Sequence, residues 1–86
     1  MATRARTYWT SDREHGPGGT YRVVVSRLPA TPGAGGRRDL YSATLFRKGD
    51  AGEESVEAEF WQNSAPPHDA DKLAFRERAR RAARAT

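Results

Sequence analysis

The run Asp39 to Arg47, D-L-Y-S-A-T-L-F-R, limits the fold more than any other stretch of this chain. Tyr41, Ala43 and Leu45 fall on one face and Leu40, Ser42, Thr44 and Phe46 on the other, the two-residue period of a strand. Strand candidates lie on both sides of it. Thr20 to Leu28 (T-Y-R-V-V-V-S-R-L) is rich in β-branched residues, and Ser55 to Gln62 alternates Val56, Ala58 and Phe60 with Glu57, Glu59 and Trp61. The connections, Pro29 to Gly36 and Lys48 to Glu53, carry the glycine and proline of turns. Asp39 to Arg47 is therefore expected as the middle strand of an antiparallel meander.

Turn placement suggests a register. Pivoting the first hairpin about Gly33 and the second between Asp50 and Ala51 gives the inner rows Tyr21–Leu45–Val56, Val23–Ala43–Ala58 and Val25–Tyr41–Phe60. A fourth row places Arg27 opposite Asp39, an opposite-charge pair. Small residues fill the middle row and larger ones flank it, which makes a trough. Residues 70–84 are Ala/Arg-rich with high helix propensity, and Asp69 or Asp71 is available as the N-cap. At about 100° per residue Phe75, Ala79 and Ala82 share a face. Phe75 is expected to fill the trough over Ala43 and Ala58.

The expected fold class is α+β: a three- or four-stranded antiparallel meander with one C-terminal helix on one face. Residues 1–19 read as an N-terminal arm or short edge strand, with a candidate strand from Arg6 to Thr10 and a loop ending in Gly16-Pro17-Gly18-Gly19. Residues 20–86 read as a single β-β-β-α domain.

Eighty-six residues allow one small domain. An apolar fraction of 36% and a mean hydropathy of -0.89 imply a thin core. With no cysteine there is neither a disulfide framework nor a thiolate metal site. No apolar run reaches the roughly 18 residues of a membrane span, and the first residues lack the apolar centre of a signal peptide. A cytoplasmic location is the expectation.

The net charge of +4 is unevenly spread. Residues 51–67 hold Glu53, Glu54, Glu57 and Glu59 and no base, whereas the segment that follows is strongly basic. The bases are overwhelmingly Arg, which suits planar recognition of phosphate or carboxylate. Arg76, Arg80 and Arg84 align at i, i+4 and i+8 on the predicted helix, with Arg78 and Arg81 beside them, and such a stripe can track phosphates. The plainer reading is that these arginines solubilise the helix and pair with Glu77 or the acidic segment. A second candidate surface is an interaction patch of Leu40, Phe46 and Trp61 on the outer sheet face, covered by Tyr8 and Trp9 or by another copy of the chain.

Catalytic chemistry finds little support. His15 and His68 sit in predicted loops with no ligand-spaced companion. Glu57 and Glu59 share a strand face without a pocket-forming sequence and read as a solvated face. No hydroxyl has an identifiable base partner. The expectation is a non-enzymatic binding protein, with no cofactor, no metal and no small-molecule substrate. Its partner is a nucleic acid or, alternatively, another protein or a second copy in a homodimer.

The order strand–strand–strand–helix over roughly Tyr21 to Arg84, closing on an Ala/basic helix, is similar in topology to double-stranded RNA-binding domains and AP2-type DNA-binding domains. Asp69-Ala70-Asp71-Lys72 stands where the RNA-binding helix opens on a Lys-Lys run, and the N-terminal helix of that family has no counterpart. In the AP2 arrangement Glu57 and Glu59 would lie on the base-reading face. No residue role is carried over from either family.

Overall fold

A computed structural model of the chain describes residues 5–30 and 39–85. The elements in order are β1 (Arg6–Thr10), β2 (Glu14–Gly16), β3 (Gly19–Leu28), β4 (Leu40–Lys48), β5 (Glu54–Asn63) and α1 (Asp69–Arg84). The strands form one five-stranded antiparallel sheet in the order β1-β3-β4-β5, with β2 paired to the start of β3. The α+β class, the meander and the C-terminal helix are those read from the sequence. The strand count is higher because the predicted loop before Gly19 contains β2, turned onto β3 through Pro17 and Gly18. Most of the hairpin tip expected over 29–36 lies outside the described residues.

The register differs from the expected one. β3 and β4 pair with Val23 opposite Leu45, Val25 opposite Ala43 and Leu28 opposite Leu40, a slip of two residues. An even slip keeps every side chain on its face, so the alternation pattern could not exclude it; the observed pairing sets two leucines against each other at the strand ends. Arg27 consequently lies opposite Tyr41 rather than Asp39. It still reaches Asp39 diagonally, at 2.6 Å.

β5 departs further, because its ladder to β4 shifts between Ala43 and Thr44 and again between Leu45 and Phe46. Each shift inserts one extra residue, a bulge that breaks the two-residue alternation. Trp61, expected on the outer face, lies opposite Ala43 and on the helix side, 5.2 Å from the Phe75 ring. Val56, expected inside, lies opposite Phe46 and is 61% exposed. Ala58 is half-buried beside Leu45 and stands outside the central core.

β1 carries a bulge of its own between Thr7 and Trp9. The central inner row is therefore Trp9–Val25–Ala43–Trp61: a tryptophan at each end with small side chains between. Phe75, only 3% exposed, drops into this saddle against Trp9, Phe60 and Trp61. Ala79 and Ala83 are fully enclosed along the same helix face, while Ala82 is half-buried at its margin. These alanines let α1 approach β3 and β2 closely; β5 is reached only through side chains.

The N-cap is His68, neither of the two aspartates. His68 takes the extended N-cap conformation, and its backbone N–H donates to the Asp71 carboxylate at 2.9 Å, which is half of a reciprocal cap. At the other end the Gly18 backbone N–H donates to the Ala83 carbonyl at 2.8 Å, satisfying one of the orphan acceptors of a helix terminus. Side chains at Gly16 or Gly18 would collide with the carbonyls of Ala83, or of Ala82 and Ala85. The glycines of the turn are thus the seat of the helix end. Ser11 closes the upper edge of the core. Its backbone N–H donates to the Val23 carbonyl and its hydroxyl oxygen accepts from the Val23 N–H, both at 2.9 Å.

Candidate functional site

The five helix arginines are split by the core face into two flanks. At about 100° per residue, Arg76, Arg80 and Arg84 fall on the side toward β1 and β2, and Arg78 and Arg81 on the side toward β5. The contacts agree. The Arg76 guanidinium lies 5.6 Å from the centre of the Trp9 ring, while Arg78 lies 4.5 Å from that of Phe60. Arg80 donates to Glu14 on β2 at 3.1 Å and approaches Glu77 at 3.5 Å. Arg81 reaches the other oxygen of Glu77 at 3.5 Å. These are exposed pairs of small energy, easily exchanged for another anion.

The first flank continues past the end of α1. Arg80 and Arg84 border a shallow depression together with Glu14, His15 and Ala83. His15 also borders a second one, of about 530 Å³, with Thr20, Arg47 and Lys48. A line of basic side chains therefore runs from Arg76 along the helix, over β2, to the end of β4. Among the described residues Arg76, Arg84, Arg47 and Lys48 have no carboxylate within salt-bridge distance. Asp50 and Glu53 line the far depression and interrupt the positive surface there. Sequence alone did not bring Arg47, Lys48 or His15 into this group, because the link runs through the unforeseen strand β2.

The two histidines have local duties. His15 Nδ1 is 2.9 Å from the Thr20 hydroxyl across the β2–β3 pair, and His68 is the helix N-cap. Among the described residues no three His, Asp or Glu side chains gather as a metal site requires.

The proposed patch of Leu40, Phe46, Trp61, Tyr8 and Trp9 is divided between the two faces. Trp9 and Trp61 bracket Phe75 on the helix side, and Tyr8 packs edge-on against Tyr41 with ring centres 5.1 Å apart. Leu40 and Phe46 remain on the opposite face. The bulges in β1 and β5 cause the division, since each lets two successive aromatics, Tyr8-Trp9 and Phe60-Trp61, turn toward the helix. An adjacent aromatic pair inside a strand was the signal that could have revealed them.

The outer face has an uncharged central row, Thr7–Ser26–Ser42–Gln62, with Leu28, Leu40 and Val56 exposed around it. Near one corner Glu54 receives hydrogen bonds from Arg22 at 2.6 Å and Arg13 at 3.3 Å. The Arg22 bond first, then Arg13, holds its carboxyl below the ordinary range. Further along the same face Thr44 lies opposite Glu59. On the helix-facing side, where Arg27 lies opposite Tyr41, Asp39 is held low by the Ala30 backbone N–H and then by Arg27.

No protein family, curated protein or solved structure matches this chain. No helix among the described residues is long and apolar enough to cross a membrane.

Proposed function

We propose that this chain is a small non-enzymatic binding module that holds a nucleic acid along the flank of α1 bearing Arg76, Arg80 and Arg84. The observation that supports it is the continuation of that flank, through His15, to Arg47 and Lys48. Successive arginines of the stripe rise about 6 Å along the axis, and their planar groups suit phosphate oxygens. Arg78 and Arg81 belong to the other flank and take a lesser part.

Fluorescence anisotropy with a labelled duplex, repeated over a salt series, tests the reading. Arg76/Arg80/Arg84→Ala lowers affinity by on the order of a hundredfold and flattens the log–log salt slope by roughly 2 to 3. Arg78/Arg81→Ala changes both much less. Equal losses from the two sets, or binding indifferent to salt, would sink the assignment.

A second reading draws on the outer face. Its uncharged central row permits a second copy to stack on it without like-charge opposition, and Leu28, Leu40 and Val56 supply apolar surface. Sedimentation across a wide concentration range, with Leu40→Glu as control, decides it: a dimer dissociated by that substitution supports the reading, and a monomer throughout removes it.

A further inference from the structure

Between α1 and β5 the helix-facing side of the sheet is open. Leu45, Phe60, Trp61, Ala74, Phe75 and Ala82 shape a groove of about 640 Å³ there. β5 is also a terminal strand. Alternate backbone N–H and C=O groups along one side of Glu54–Asn63 therefore have no neighbouring strand among the described residues. The open edge and the groove adjoin. A strand laid along β5 would extend the sheet and turn every second side chain into the groove.

Charge selects the kind of strand. β5 carries Glu54, Glu57 and Glu59 and no base. Glu54 is engaged by Arg13 and Arg22, whereas Glu57 and Glu59 are exposed and unpaired among the described residues. Two copies joined edge to edge through β5 would bring these carboxylates near their own duplicates, and like charges across a ladder destabilise it. A nucleic-acid backbone would meet the same two glutamates at the edge. On the groove wall Asp71 and Glu77 are matched by Arg78 and Arg81, so the choice falls to the unpaired edge carboxylates, and a basic strand gains from Glu57 and Glu59.

We propose that the β5 edge and the α1/β5 groove form a peptide site that binds an extended segment by strand addition. The segment alternates Lys or Arg, set beside Glu57 and Glu59, with large apolar side chains that enter the groove against Trp61 and Phe75. The site is separate from the Arg76/Arg80/Arg84 flank and stands or falls independently of it.

The test titrates the isotope-labelled full chain with capped peptides Lys-X-Lys-X-Lys-X-Lys, X being Val, Leu, Phe or Trp, followed by amide NMR shifts. The best member perturbs β5 and the Ala74–Ala82 flank. Replacing its lysines by glutamates, or methylating the amide nitrogens that face β5, weakens it on the order of tenfold or more. Glu57→Lys with Glu59→Lys, at exposed positions where folding is not at stake, does the same, and Trp61→Ala removes the preference among apolar X. The proposal is overturned if no peptide binds by millimolar concentration, if the acidic or methylated peptides bind as well, if oligothymidylate displaces the peptides from the same amides, or if β5 is instead the contact of a dimer.

Discussion

The two ends of the Trp9–Val25–Ala43–Trp61 row are built alike and finished differently. Each edge strand has a bulge and two successive aromatics, and each tryptophan touches Phe75. At the β1 end the structure is closed: Arg76 covers Trp9, Glu14 holds Arg80, and Gly18 bonds the last turn of α1. At the β5 end the helix backbone stands off and a groove remains. The helix is fastened through its backbone along one side only and meets β5 through side chains, Phe75 with Phe60 and Trp61 and Arg78 with Phe60. The same local device can complete a core or wall a cleft, depending on where the neighbouring backbone lies.

Phe75→Ala removes the ring that both ends share and has the largest expected effect, a loss of about 3–5 kcal/mol in urea denaturation. Single replacements of the tryptophans then separate the ends. Trp9→Ala should lose about 2–3 kcal/mol and Trp61→Ala about 1–2 kcal/mol, because one leaves a gap beneath a fastened helix and the other widens a cleft already open to solvent. Equal losses would mean the groove wall is as integral as the closed side. Ser11→Ala sharpens the account of the closed end by stripping the Val23 N–H of its buried acceptor, a loss of roughly 1–3 kcal/mol; an unchanged denaturation midpoint would show that another acceptor takes over.

The smallest effect concerns pH. Glu54 and Asp39 both have carboxyls held low in the folded state. Their contribution is present above the ordinary carboxyl range, near pH 4, and is lost as pH falls through the lower folded value. Glu54→Gln and Asp39→Asn should each flatten the acid limb of the stability curve and leave its neutral-to-alkaline slope alone. An acid limb identical to that of the parent would refute this.

The fold was legible where pattern and physics coincide. Tyr41, Ala43 and Leu45 show their common face by alternation, Phe75 and Ala79 by helical spacing, and the strand Arg6–Thr10 emerges with its predicted limits. What stayed hidden is what pattern leaves undetermined. A slip of two between β3 and β4 preserves every face. The bulges at Tyr8 and Phe60 trade alternation for packing against a helix that is remote in sequence. Gly16-Pro17-Gly18-Gly19 looks like any flexible turn until the end of α1 is set against it. For the candidate interface, the spacing of Arg76, Arg80 and Arg84 was readable, but their separation from Arg78 and Arg81 depends on which helix face the core claims.

The bond from Gly18 to Ala83 joins positions near opposite ends of the described chain. Early and late segments must meet before either is secure, a long closure that slows folding relative to local contacts. During synthesis the β2–β3 hairpin would wait, unsupported, for α1, which follows every strand in the chain. Loosening of the Pro17–Gly18 turn or of the last turn of α1 should therefore be felt at the other.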